Sequence, residues 1–319
     1  MNSYNLKRGI TLFVMMLLLN NITQAQTDLD AIMMDKNRFC IGPSYMNNSW
    51  KNYWEGTLKR DNANLETVSM QSFAIMGNYG VTDNLNVLFN VPYVSTKASA
   101  GTLQGDKGFQ DLSLYVKYLA KEIDLWKGTL SLYGVGGISL PVTNYDADYL
   151  PLSIGLKSKT ASLRALVDYQ VNSFFATASA TYVLRSNIKI ERTSYYTDHM
   201  IYSNEVEMPN ASNINIRAGY RSERLIAEAV FNQWNTLGGF DITRNNMPFP
   251  SNEMNATTVG AKVKYVLFTK HEFAVEGGAD FTVAGRNMGQ SNNYHGGLLY
   301  VIEMKSKHSK AKTNTATTK

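Results

Sequence analysis

The sequence predicts an all-β protein: a closed antiparallel transmembrane β-barrel of about twelve strands, with short periplasmic turns and long extracellular loops. Three observations carry this expectation. Apolar and polar residues alternate in segment after segment, the period of a strand with one apolar face. The connections between segments alternate between short and long. A tyrosine recurs at one position in every second segment.

The amino terminus is set aside first. Lys7 and Arg8 precede an apolar run from Ile10 to Leu19, and Thr23 and Ala25 suit a cut before Gln26. This is the pattern of a secretory signal peptide over residues 1–25. The run is far shorter than the ~20 residues a spanning helix needs. A short segment, Gln26–Asn37, then leads into the barrel, expected over residues 38–304, and a basic tail follows over residues 305–319. That tail has the composition of a disordered, solvated segment.

The strands follow in order. A weak first strand is expected near Arg38–Met46, then FAIMGNYGV with Phe73, Ile75, Gly77, Tyr79 and Val81 on one face, then LNVLFNVPY from Leu85. The fourth, DLSLYVKY, places Leu112, Leu114, Val116 and Tyr118 together, with Asp111, Ser113, Tyr115 and Lys117 between them. TLSLYGVGGISL, SLRALVDYQ and FATASATYVL come next, then NINIRAGYR, LIAEAVF and VGAKVKYVL, and FAVEGGADFTV and GLLYVIEM close the series. Twelve is an even count, as bacterial barrels require.

Short connections fall near Thr82–Asn84, Ala120–Lys127, Val171–Ser173, Arg221–Arg224 and Thr269–His271. Long ones fall near Asn47–Asn64, Lys97–Phe109, Val142–Ser158, Ser186–Ser212, Asn235–Asn255 and Gly285–Asn293. A soluble sandwich has no reason to keep every second connection short, whereas an outer-membrane barrel does.

Tyr79, Tyr118, Tyr169, Tyr220, Tyr265 and Tyr300 each stand on the apolar face of an even-numbered strand, near its short-turn end. Together they form a girdle at one height, expected at the periplasmic rim, where a phenol body meets hydrocarbon and its hydroxyl meets water. The apolar face therefore meets lipid. Because no water satisfies a free strand edge there, the sheet must close.

The intervening positions then line the lumen. They include Lys117, Arg164, Asp168, Arg217, Glu228, Lys262, Lys264, Glu276 and Asp280. Charges of both signs are costly toward lipid, so they must point inward. They either pair into a rigid wall or line a solute path. Lys262 and Lys264 face Glu276 and Asp280 on the next strand, and pairing is expected because unpaired charges in a narrow lumen are hard to solvate.

Charge and motif searches exclude other classes. The formal net charge is +5, but seven basic residues lie in the signal and tail. Setting them aside leaves 24 basic against 26 acidic residues, a net of −2, so the body is not built for nucleic acid. Cys40 is the only cysteine and suits a strand position. His199, His271, His295 and His308 are scattered, and no HExxH, CxxC pair or GxSxG occurs. Asp146 and Asp148 in NYDADY are too few for a calcium site, which needs about six to eight oxygens. No catalytic residue, cofactor or metal is expected, and no enzymatic activity.

YGVTDNLNVLFNVPYV, then GDKGFQDLSLYVKYLAKE, then LYGVGGISLPVT, resembles the outer-membrane barrels of the phenol-degradation meta-pathway (MetA) type. The motif positions are Tyr79, Gly80, Pro92, Tyr93, Gly108, Asp111, Leu112, Leu114, Lys117 and Tyr118. The likeness is clearest over residues 73–142 and looser to Met304. It implies a channel for small aromatic or hydrophobic solutes, with outer-membrane lipid, the solute and the barrel-assembly machinery as partners. A branch of the wider family exports functional amyloid and carries an N-terminal helical plug. Gln26–Asn37 is too short for a long coiled coil, so solute passage ranks above export. One departure stands out: the usual terminal aromatic is replaced here by Tyr300 followed by Glu303, Met304 and the basic tail.

Overall fold

A computed structural model describes residues 27–244, 246–268 and 273–304. The expected signal peptide and C-terminal tail, and the expected turn at Thr269–His271, lie outside these residues.

Twelve long strands form the wall: β1 (Arg38–Trp50), β2 (Val68–Thr82), β3 (Leu85–Ala98), β4 (Asp111–Leu125), β5 (Gly128–Pro141) and β6 (Thr160–Val171) in the first half. The second half is β7 (Phe174–Arg185), β8 (Ala211–Arg221), β9 (Leu225–Thr236), β10 (Asn255–Phe268), β11 (Phe273–Arg286) and β12 (Asn292–Glu303). Each pairs antiparallel with its chain neighbour, and β1 pairs with β12 from Arg38↔Glu303 to Ser49↔Asn292. That last ladder closes the barrel and removes both free edges.

The side-chain period does the sorting. On β4, Leu114, Val116 and Tyr118 are exposed on the outer face, while Lys117 is buried inside. The same alternation holds around the wall, with Val167, Ile216, Val263, Phe281 and Leu298 outside and Asp168, Arg217, Glu228 and Lys264 inside. An exposed apolar band around a buried polar interior inverts the usual order of a soluble protein, and suits lipid as the outer solvent.

Short and long connections segregate to opposite ends, with tight turns at 83–84, 126–127, 172–173 and 222–224. Asn172 takes the left-handed conformation (φ 53°) that a two-residue turn demands.

Two strand ends differ from the sequence reading. β1 continues to Trp50, beyond the expected Met46, because Asn47–Ser49 pair with β2 and β12 although their polar side chains show no alternation. The expected turn at Ala120–Lys127 is instead mostly strand: β4 runs to Leu125 and turns at Trp126–Lys127. A bulge between Leu119 and Lys121 shifts the register by one residue. It breaks the alternation that marks a strand in sequence and moves Ile123 and Leu125 to the outer parity.

At the long-loop end the connections pack on one another. Ala147, Ile188, Ile190, Tyr195, Val206, Met208 and Phe249 share a small apolar core. The β5–β6 loop dips inward: Leu152 packs on Leu65 and Val68, and Ile154 on Val94 and Tyr145. The Tyr145 hydroxyl donates to Asp111 at 2.7 Å and accepts from the Lys157 backbone N–H at 2.8 Å, which pins the loop to β4.

Replacing Val116 or Val263, 47% and 49% exposed on the outer face, by arginine is expected to cost about 2–4 kcal/mol on insertion. The same change at Ser113 or Thr258, on the inner face, is expected to be tolerated. Heat-modifiable gel mobility measures the folded fraction, and equal tolerance at both pairs would refute the orientation.

Candidate functional site

The lumen is occupied by the chain's own N-terminal segment. Residues 27–35 precede β1 and enter the barrel rather than trailing from it. The segment is shaped locally by Asp30, whose carboxylate accepts from the backbone N–H groups of Thr27 and Ile32. It is held to the wall by polar groups spaced along several strands.

Lys117 is the centre of that attachment. Its side chain is 0% exposed, and its ammonium donates to the Asp30 carboxylate at 3.0 Å and to the backbone carbonyls of Thr27, Asp30 and Ile32. Arg164 on β6 reaches the carboxylate and carbonyl of Asp28 and, through Nε, Thr181. The Tyr133 hydroxyl donates to the Ala31 carbonyl at 2.9 Å. Apolar contacts complete the seat. Ile32 packs on Phe175 and Ile226, and Met34 packs on Cys40, Val266, Leu299 and Val301.

The remaining inward charges pair with one another. Asp168 accepts both Arg221 amino groups, at 2.9 and 3.2 Å, together with the Thr177 hydroxyl. The Arg221 guanidinium also lies 3.9 Å over the Phe175 ring. Arg217 meets Glu228 at 2.9 Å, and Lys262 meets Glu276 at 3.1 Å across the β10–β11 hairpin. Lys264 borders one small space with Asp30, Glu228 and Glu276. Asp280 faces His295 at 3.5 Å and Asn293, rather than a lysine.

The six tyrosines stand on the outer face near the short-turn end, and strand pairing links their positions. Tyr118 is opposite Leu85, Tyr220 opposite Phe174, and Tyr300 opposite Phe273. The Tyr169 hydroxyl donates to the Leu125 carbonyl at 3.0 Å, and the Tyr79 hydroxyl reaches Asn37 at 3.4 Å.

Sequence reasoning missed Asp28, Asp30, Tyr133, Arg185 and Arg221. Arg221 was legible, since it shares the parity of Arg217 on one strand. Tyr133 and Arg185 likewise share the inward parity of their strands. Asp28 and Asp30 carried no such signal, because nothing in TDLDAIMMDK says that the segment folds back into the lumen.

Two cavities flank the segment. One of about 750 Å³ opens at the short-turn end and is lined by Met33, Asp35, Glu122, Tyr133, Asp168 and Arg221 among others. The other, of about 470 Å³, lies toward the long loops, with Leu29 of the segment as part of its lining. Among the described residues no group of three or more His, Cys, Asp or Glu could hold a metal ion. In the β5–β6 loop Asp148 is ion-paired to Arg192 at 2.6 Å. Its neighbour Asp146 is pushed up to about 6 by its hydrogen bond to Asp148, by burial and by the adjacent negative charge.

Residues 64–296 match the model of a family described as "Putative MetA-pathway of phenol degradation". The chain belongs to that family. Among solved structures, the fold is similar to the COG4313 outer membrane channel from Pseudomonas putida F1, with a TM-score of 0.65 at 14% identity over 88% of this chain and 100% of that one. Lower scores relate it to the translocator domain of the autotransporter NalP from Neisseria meningitidis (0.43, 8% identity, 94% of this chain and 96% of that one). OccK8 (OprE) of Pseudomonas aeruginosa scores 0.35 at 7% identity, over 83% of this chain and 98% of that one. No curated protein matches. The family membership and the closed wall together make this an outer-membrane-type β-barrel.

Replacing Lys117 by methionine removes a buried ion pair, a change that costs about 3–5 kcal/mol where the partner charge is left behind. The wall ladders do not depend on this contact, so the barrel is expected to stay folded while the segment loosens. In a Cys40→Ala background, the thiol of Leu29→Cys is expected to react with a charged maleimide at least tenfold faster once Lys117 is replaced. Equal rates would mean that Lys117 does not hold the segment.

Proposed function

We propose that the protein is an outer-membrane channel for passive passage of small solutes, aromatic or hydrophobic ones among them, and that its N-terminal segment sets how open the lumen is. The observation that carries this reading is the pair of cavities on either side of the segment, which is held in the lumen by a few ion pairs, hydrogen bonds and apolar contacts and is not a strand of the wall. Segments of that kind open locally at a cost well below global unfolding. Polar lumen residues tune what passes a barrel of this size. The reading places the short turns and both mature termini in the periplasm, with a cleaved signal peptide and delivery by the barrel-assembly machinery of a Gram-negative cell. It assigns no catalytic residue.

The same segment favours a second reading: a permanently shut barrel whose interlocked loops bind a partner. Conductance separates the two. In planar bilayers the full-length mature protein is expected to give small unitary currents, and a variant lacking residues 27–32 larger ones. Removing Asp28 and Asp30 leaves Lys117 and Arg164 without their carboxylates, so the reversal potential is expected to move toward anions. Absence of current from both the full-length protein and the folded variant would refute the channel and support the shut barrel, whereas equal currents from both would refute the segment's control of the lumen.

A further inference from the structure

Among the inward arginines, one is not committed to an acid. Arg164, Arg217 and Arg221 are each paired with a carboxylate at 2.9 Å. Arg185, at the long-loop end of β7, has no such partner among the described residues. Its guanidinium carbon instead lies 5.3 Å from the centre of the Trp234 ring on β9. Both positions have inward parity, and Trp234 is level in the register with Asn213 and Thr181, further into the barrel than Arg185, so the arginine side chain reaches back toward the ring. A cation–π contact takes up part of the charge and leaves the guanidinium N–H fork available.

Arg185 and Trp234 line the 470 Å³ cavity on the long-loop side of the N-terminal segment. The acid in that lining, Asp111, already accepts the Tyr145 hydroxyl. The rest of the lining holds Arg164, which is committed to Asp28, the amides of Gln110, Asn213 and Asn232, small hydroxyls and apolar surface. Tyr115 lies flat along it because Gly137 has no Cβ: one built there would stand 2.4 Å from the tyrosine ring. Leu29 of the N-terminal segment contributes apolar surface as well. The volume is within the range of pockets that enclose small organic ligands.

We propose that this cavity binds a small aromatic carboxylate, with the Arg185 fork taking the carboxylate and Trp234 and Tyr115 contacting the ring. A half-buried guanidinium without an acid keeps an unmet demand for an anion, and Arg meets planar carboxylates bidentately. The aromatic walls select against inorganic anions, which have no apolar body to bury. The proposal deepens the channel reading by naming a solute class.

Calorimetry on the full-length mature barrel in detergent tests it with benzoate, acetate and benzyl alcohol. Benzoate is expected to bind saturably, and the other two at least tenfold more weakly. Arg185→Gln is expected to bring benzoate down to the level of benzyl alcohol and to leave benzyl alcohol unchanged. Trp234→Leu is expected to weaken both ring compounds. Heat-modifiable mobility confirms that each variant is folded, and Arg185→Lys, which keeps the charge and loses the fork, should fall between wild type and Arg185→Gln. Undiminished benzoate binding by folded Arg185→Gln overturns the proposal, and so does displacement of benzoate by chloride at equal concentration. A barrel that conducts without binding benzoate refutes this inference and leaves the channel standing, whereas one that binds benzoate without conducting does the reverse.

Discussion

A lysine ammonium with no access to bulk water has to be surrounded by oxygen, and in this barrel the oxygens come from the chain's own N-terminal segment. Lys117 is completely buried in the lumen and is met by one carboxylate and three backbone carbonyls. An unpaired charge at that position would carry a desolvation cost of several kcal/mol. The converse also holds. A segment lying in a lumen has backbone groups that no helix or sheet satisfies. Lys117, Arg164 and Tyr133 supply donors to its carbonyls at three successive places. Wall and segment therefore satisfy each other, and neither arrangement is sensible alone.

The other features follow from this seat. The segment divides the lumen into two cavities, and its apolar residues decide where it leans. Met34 rests on Cys40, Leu299 and Val301, side chains of the first and last strands, so the segment covers the seam where the barrel closes. The lone cysteine is thus a packing residue beneath the segment. Beside the segment, other charges are balanced within the wall, where Arg221 with Asp168, Arg217 with Glu228 and Lys262 with Glu276 form local pairs. Such pairs stiffen the wall and leave little net potential. The exception at Arg185 is informative for that reason.

The long loops show a different economy. Asn287 sits between three connections and is nearly fully buried, with its side chain bonded to the Gly56 and Ile242 backbone N–H groups, the Asp241 carboxylate and the Glu253 carbonyl. One amide uses its donors and its acceptor to join the loops that follow β1, β9 and β11, and the apolar core around Val206 and Phe249 joins two others. The long loops therefore form one interlocked layer rather than a set of independent connections.

Local periodicity by itself determined the wall. The strict alternation, the short and long connections and the placement of six tyrosines were readable because each is a property of consecutive residues, and a strand turns sequence parity directly into inside and outside. The inward set from Lys117 to Asp280 was readable for the same reason. Where the alternation was broken, by the bulge after Leu119 or in the polar stretch Asn47–Ser49, the strand ends were misplaced. Only the tertiary structure decided which inward charges meet. Lys117 finds Asp30 from 87 residues away, and Arg164 finds Asp28 from 136, contacts that no local pattern encodes. The closed wall brings those positions to one height, and the need to satisfy a buried charge selects the partner. That same closure left Arg185 beside an aromatic ring instead of an acid.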